Sequence, residues 1–219
     1  MISSRCPLFT LIMFAACSLS LAQAVEPTVA EPALRQELLD MYAADQQARV
    51  AMMEKLGKTG FNFNTADSIR DPQVIWLMLT EGAKGLWQDG FHQARLKAII
   101  DRHGWPGKSL VGEDGARSAW LLVQHADVDL AFQERCLSLM REAPDGEVSP
   151  QNMAYLTDRV LVNEGCQQCY GTQLGEDFSP RPIYDRSTVD LRREAVGLPP
   201  LAEYVEAARA GYEELLQRE

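Results

Sequence analysis

The chain has 219 residues, of which 31 are acidic and 21 are basic, so its formal net charge is −10 at pH 7. This acidity argues against nucleic acids and anionic membrane surfaces as partners, because both are themselves negatively charged. The chain is long enough to bury one substantial core, and no internal repeat or low-complexity segment divides it.

The first residues have the pattern of a signal peptide. A short basic start is followed by an apolar stretch, Leu8 to Ala16, which is too short to span a bilayer, and by the small-x-small sequence Ala22-Gln-Ala24. We therefore expect residues 1–24 to be a signal peptide and residues 25–219 to form one domain in the periplasm or outside the cell. Cys17 follows two small residues, which leaves a lipoprotein anchor at that cysteine as an alternative. No later segment of the sequence is apolar enough to cross a membrane.

The spacing of apolar residues, together with Pro, Gly and capping residues, predicts a mainly α-helical domain. In chain order, the predicted helices cover about residues 33–56, 71–79, 89–103, 116–142, 149–164, 187–196 and 201–217. The polar, Gly-bearing stretches 58–67 and 107–115 are typical of loops. Residues 166–184 predict a small insertion of irregular or β-like structure. Ser187, followed by Asp190, indicates a capping arrangement at the start of the short helix.

The segment Trp120 to Asp127, in the predicted central helix, carries one of the three histidines of the chain. On a helical wheel His125 lies in the middle of the apolar arc, with Asp129 beside it one turn later, and Asp45 lies on the apolar stripe of the first helix. Buried charged groups must be paired, so packing of the two helices would bring Asp45 to the imidazole. Such a pair is either a general base with its orienting carboxylate or a packing feature without chemistry.

The cysteines beyond the signal region are few. Cys136 falls on the buried arc of the central helix, which is typical of a small core residue. Cys166 and Cys169 have the spacing of redox pairs and half zinc sites, but the sequence has neither a second pair nor a preceding strand. In an oxidising compartment a local disulfide between them is the simplest expectation.

Other motifs of known chemistry are missing from the sequence. It contains no His-x-x-x-His or His-Glu-x-x-His spacing for zinc, no Gly-x-Ser-x-Gly elbow, and no glycine loop with Gly-Lys-Ser/Thr for phosphate. The sequence therefore predicts neither a metal site nor a cofactor.

Several short motifs occur in a fixed order along the chain. They are His103-Gly-Trp-Pro106, Trp120-Leu-Leu-Val-Gln-His-Ala-Asp127, Ala154-Tyr-Leu-Thr-Asp-Arg159, Tyr170-Gly-Thr-Gln173 and Val189-Asp-Leu-Arg-Arg193. With Asp45-Gln46 and Arg49, these motifs resemble a bacterial family catalogued as domain of unknown function 6624, over roughly residues 34–204. The resemblance implies a shared architecture and a shared polar site, without an activity. The Cys-x-x-Cys sequence is not part of the family pattern.

The motif residues define the predicted site. We expect the catalytic groups to be His125, Asp45, Asp158 and Arg159. We expect the substrate-binding groups to be Gln124, Asp127, Tyr170, Gln173 and Arg193. Taken singly, Asp158 and Arg159 also fit solvated charges on the polar face of their helix.

Two functions remain open at this stage. One is a hydrolase-like enzyme that uses a His–carboxylate pair as acid and base, since water is always available as co-substrate outside the cell. The other is a non-catalytic module that binds a small molecule or a protein. Convergence of the motif side chains on one open cleft would favour the enzyme, and a sealed core would favour the second function.

Overall fold

The computed structural model describes residues 29–60, 70–175 and 177–217. Its helices are α1 (Pro32–Gly57), α2 (Pro72–Leu77), α3 (Ala83–His103), α4 (Lys108–Gln124), α5 (Leu130–Glu142), α6 (Pro150–Asn163), α7 (Val189–Ala195) and α8 (Leu201–Gln217). The mainly α-helical single domain predicted from the sequence is confirmed. The predicted signal peptide, residues 1–24 with Cys17, lies outside the described residues.

Short turns join some of these helices. A π-helical turn, Met78–Gly82, connects α2 to α3, and a 3₁₀ turn, Arg186–Thr188, precedes α7. Where residues 166–184 are described, they form no continuous strand and are linked by isolated backbone bridges and by hydrogen bonds of the Gln168 side chain. The insertion is therefore irregular, which is one of the two structures expected for it.

Capping residues fix several helix ends where the sequence predicts them. Asp71 accepts a hydrogen bond from the backbone N–H two residues later, at 2.7 Å, and begins α2. The Ser149 hydroxyl accepts one from the backbone N–H of Asn152 at the start of α6. α3 ends at His103, where Gly104 has a φ of 72° that glycine adopts at little cost.

Two helices begin earlier than predicted. α3 starts at Ala83 rather than near Asp89, because glycines interrupt the apolar pattern in its first turns. α4 starts at Lys108, so the prediction of a loop over residues 107–115 is wrong. Gly112 has a φ of 76° and a ψ of 170°, which kinks the chain within α4 and obscures its start in the sequence.

The predicted central helix, residues 116–142, is in fact two helices. The chain leaves the helical path over residues 125–129, between α4 and α5. Asp129 is the N-cap of α5, and it binds Lys97 of α3 at 2.6 Å. The predicted position of Asp129 beside His125, one turn along a continuous helix, is therefore wrong.

A glutamine explains why α4 stops. Gln133, on α5, is fully buried, and its Nε2 lies 3.1 Å from the backbone oxygen of Val123 and 3.3 Å from that of Gln124. The last carbonyls of a helix have no partner within the helix. The Gln133 side chain supplies one, and it reaches the Asp127 carboxylate as well, at 3.2 Å.

The core lies between α1, α3, α4, α5 and α6. α1 packs along α4, α3 contacts both, and α5 packs on α6, while α8 contacts α1 and α7. Its most buried members include Leu38, Leu96, Val111, Val123, Cys136 and Leu156. Each such aliphatic side chain contributes about 1.5–3 kcal/mol. This packing brings the middle of α1 to the C-terminal end of α4.

The predicted capping role of Asp190 is wrong. Its carboxylate accepts a hydrogen bond from the backbone N–H of Leu201 at 2.8 Å, and so joins α7 to the start of α8. The Ser187 hydroxyl instead donates to Asp185 at 2.6 Å.

The cysteines differ in their surroundings. Cys136 is fully buried, as predicted. Cys166 and Cys169 are free thiols, so the structure does not contain the expected disulfide. Burial raises the pKa of the Cys169 thiol above its usual value.

Candidate functional site

His125 and Asp45 are in direct contact. The Nδ1 atom of His125 lies 2.9 Å from Oδ2 and 3.0 Å from Oδ1 of Asp45. Asp45 faces the core from α1, while His125 is the C-cap of α4, directly after its last residue. The imidazole is therefore 20% exposed, whereas the carboxylate is 1% exposed. The pairing that helical periodicity predicts is present in the structure.

Asp45 is surrounded by donors. Gln46 donates to it from Nε2 at 2.8 Å, and Arg49, one turn later, lies 3.0 Å away. Burial alone would raise the pKa of Asp45, but hydrogen bonds from His125 and Arg49 outweigh burial and hold the pKa well below its usual value. The carboxylate is thus ionised at neutral pH.

The charge on Asp45 assigns the proton of the imidazole. A carboxylate without a proton can only accept, so Nδ1 of His125 carries the hydrogen that it donates. In a neutral imidazole Nε2 is then the acceptor. The pair therefore holds His125 in the tautomer that can take up a proton at Nε2.

Two residues of α3, Asp89 and His92, extend this site, and neither is among the residues predicted from the sequence. Arg49 bridges Asp45 to Asp89, 3.0 Å away, and burial raises the pKa of Asp89. His92, one turn further on, is 8% exposed, and its Nδ1 has no hydrogen-bond partner among the described residues. Burial lowers the pKa of His92. In the sequence, His92 lies on the apolar stripe of this helix that continues to Leu96, and this position could have identified it as a buried histidine.

Gln124, Asp127 and Arg159 form a second group, at the junction of α4 and α6. Arg159 donates from Nε to Oε1 of Gln124 at 3.3 Å and from Nη1 to Asp127 at 3.0 Å. Asp127 is half-exposed, whereas Gln124 is buried. The contacts tie α6 to the end of α4.

Asp158 is enclosed in a third group. It is fully buried and accepts from the backbone N–H groups of Cys169, Tyr170 and Thr172 at 2.7, 3.0 and 2.9 Å, and from the Thr172 hydroxyl at 3.0 Å. The interpretation of Asp158 as a solvated helix charge is therefore wrong. Its contacts hold the insertion in place, on the side of α6 away from solvent.

Tyr170, Gln173 and Arg193 belong to the same framework. The backbone oxygen of Tyr170 accepts from Nη1 of Arg193 at 2.6 Å. Gln173 donates from Nε2 to the Thr172 hydroxyl at 3.0 Å, and its backbone N–H donates to Gln168 at 2.8 Å. The hydrogen bonds thus sort the predicted site residues into three groups.

Within the part of the chain that the structure describes, no three His, Cys, Asp or Glu side chains lie close enough together to hold a metal ion. Over the same residues, no helix combines the length and the apolar character needed to cross a membrane.

Comparison with known proteins identifies the family of the chain but no characterised relative. No curated protein and no solved structure matches the chain. The profile of a family of unknown function, DUF6624, matches residues 32–215, which is most of the chain and extends beyond the region of the motifs. The resemblance carried by those motifs is confirmed, and the chain belongs to the DUF6624 family.

Proposed function

We propose that the protein is a hydrolase-like enzyme in which His125 is the general base. The observation that supports this function is the position of the imidazole, held at Nδ1 by the buried Asp45 and partly exposed to solvent. A satisfied core histidine would be enclosed on all sides. Here Nδ1 is bound to Asp45 while the side chain stays 20% exposed, and proton transfer needs a base that is both held and accessible.

The chemistry follows from the tautomer. Nε2 of His125 accepts a proton from a water molecule as the water oxygen attacks an electrophilic carbonyl or phosphoryl centre. The resulting imidazolium is stabilised by Asp45, and its Nε2 proton passes to the leaving group, which restores the neutral base. Arg49 is a positioning residue, because it keeps Asp45 ionised and fixed between α1 and α3.

The site of action in this proposal is outside the cytoplasm. The signal-peptide pattern of residues 1–24 supports export and cleavage after Ala24. Mass spectrometry of the protein from the periplasm should give an N-terminus at Val25. A diacylated Cys17 would overturn cleavage at that point and would establish a membrane-anchored lipoprotein instead.

The function is tested with the full mature chain and a panel of chromogenic esters, amides and phosphoesters, followed by a metabolite extract. We expect hydrolysis of at least one compound and a loss of kcat/KM of about 100-fold or more in His125→Gln. The matched control is His103→Gln, at the end of α3, which should retain the wild-type rate. Equal rates in His125→Gln and wild type, or no hydrolysis of any compound, would overturn the proposal.

One observation favours a second function, a non-catalytic binding module. Large apolar side chains are exposed along α2, the π-helical turn and α3, among them Trp76, Leu79, Trp87 and Phe91, and Trp87 is 83% exposed. Exposed apolar patches of this kind often mark surfaces for protein partners. If Trp87→Glu abolishes the biological role of the protein while His125→Gln leaves it intact, this second function replaces the enzyme.

A further inference from the structure

Arg193 is a buried cation with an unused donor. Its side chain is 0% exposed, and it donates from Nε to the Pro199 carbonyl and from Nη1 to the Tyr170 carbonyl, each at 2.6 Å. Its Nη2 has no hydrogen-bond partner among the described residues. The face of the Tyr204 ring lies 4.9 Å away, and Asp190 and Asp158 act on the charge without binding Nη2.

A second unsatisfied donor lies on α4. Gln124 is 4% exposed, and its Oε1 accepts from Arg159, which fixes the orientation of the amide. Its Nε2 group then points elsewhere and has no partner among the described residues. One turn earlier on the same helix, the indole Nε1 of Trp120 is also buried and lacks a partner in the described chain.

Two tyrosines connect these donors in space. The ring of Tyr155 on α6 lies 5.9 Å from that of Trp120 and 6.1 Å from that of Tyr204 on α8. Tyr204 in turn contacts the Arg193 guanidinium. Arg159 follows Tyr155 by one turn, so a second guanidinium borders the same pair of rings.

The unsatisfied atoms of this cluster have one chemistry in common. The free positions on Arg193, Gln124 and Trp120 are all N–H donors. A water molecule would offer hydrogens as well as lone pairs, whereas a carboxylate or phosphate oxygen only accepts, and its negative charge strengthens each hydrogen bond that it receives from these donors. The cluster is therefore complementary to an oxyanion.

A nearby cavity of about 240 Å³ is a weaker candidate. Trp120 lines it, together with Lys108 and Arg117, but so do Glu113 and Glu147. Mixed charges of this kind do not select an anion.

We propose that Arg193, Gln124 and Trp120 form a binding site for the carboxylate or phosphate group of a small molecule, between α4, α6, α7 and α8. Arg159, which is paired with Asp127 and donates to Gln124, lies at its edge. The site does not depend on His125 as a base, because none of the contacts that define it involves the imidazole.

The probes are inorganic phosphate and acetate, titrated separately into the full mature chain at constant ionic strength with chloride as the background anion. We expect saturable binding of at least one probe by calorimetry, and the probe that binds identifies the oxyanion class. Gln124→Glu should weaken binding by at least about tenfold, because it places a negative charge among the donors. Gln47→Glu, an exposed position on α1 with the same change of charge, should bind as wild type.

Two results would overturn the site. One is a response that does not saturate, or that is equal in both Glu variants, since this describes a general salt effect. The other is a crystal structure of the wild type soaked in the probes that shows only water at Nη2 of Arg193. The soak also decides the matter if Gln124→Glu fails to fold. Hydrolysis is not measured in either experiment, so failure here is distinct from failure of the His125 mechanism.

Discussion

Two polar regions of this domain each contain a buried aspartate, and the two carboxylates differ in their hydrogen-bond partners. Asp45 receives hydrogen bonds from side chains, those of His125, Arg49 and Gln46, and both His125 and Arg49 are partly exposed to solvent. Asp158 receives three of its bonds from backbone N–H groups of an irregular segment and is fully buried. Burial of a carboxylate therefore does not identify a reactive site. What distinguishes Asp45 is a partner that can titrate near neutral pH, the His125 imidazole, whereas the backbone N–H groups around Asp158 cannot.

Removal of the Asp158 carboxylate is expected to have the largest effect on stability. Asp158→Ala leaves three backbone N–H groups and one hydroxyl without their acceptor, so the free energy of unfolding should fall by about 4 kcal/mol in urea titrations. Asp145→Ala, in the exposed turn before α6, should change it by no more than about 0.5 kcal/mol. Equal effects of the two substitutions would remove the framework role assigned to Asp158.

The equivalent change at the other aspartate should act on activity instead. Asp45→Asn keeps an acceptor for His125 but loses the charge that fixes the tautomer, so kcat/KM should fall at least about tenfold. Its loss of unfolding free energy should be smaller than that of Asp158→Ala. A variant that loses stability and keeps the specific activity of its folded fraction would make Asp45 a second framework residue.

The free energy of unfolding should depend on pH in two separate ranges, one due to His92 and one due to Asp45. Burial lowers the folded-state pKa of His92 below its usual value, against opposing effects of Asp45 and Asp89, so below about pH 6.5 the unfolded chain binds the extra proton and stability falls. The pKa of Asp45 is also lowered in the folded state, which gives a further loss of stability below about pH 4.

Substitutions separate these two contributions. In His92→Gln the unfolding free energy should vary less between about pH 5 and 6.5, while the acid loss remains. Asp45→Asn should reduce the acid loss, to which other carboxylates with lowered pKa values such as Asp114 and Asp129 also contribute, and should keep the slope due to His92. Chemical denaturation across pH measures both, and a His92→Gln profile that overlays the wild type would show that His92 does not titrate differently in the two states.

The smallest effect is expected at the cysteines. Both thiols are free, and the contact of Cys169 with Asp158 is made by its backbone N–H, which serine retains. Replacement of Cys166 and Cys169 by serine should lower Tm by no more than a few degrees, because a disulfide at this spacing would close only a small loop. Loss of all soluble protein, or stoichiometric zinc in the wild type, would show the pair to be essential to the framework.

Periodicity was sufficient to predict the pairing of His125 with Asp45, because both positions follow from which face of each helix is apolar. The prediction for Asp129 was wrong, because a helical wheel assumes one continuous helix, whereas Asp129 is the N-cap at which a new helix begins. Periodicity also placed Asp158 on a solvated face, because its partners come from the insertion, 11 to 14 residues further along the chain. His92 was recognisable from its spacing to Leu96, and only its contacts required the structure.

The position of His125 depends on where α4 stops, and Gln133 sets that point from the next helix. Without this side chain, the apolar pattern of residues 116–142 would favour one uninterrupted helix, in which residue 125 lies mid-helix rather than at an open end. The family motif around His125 is therefore conformationally ambiguous by itself. The Gln133 amide, which reaches the carbonyl of the residue before His125, stabilises the bent form of the chain in which the ring is partly exposed.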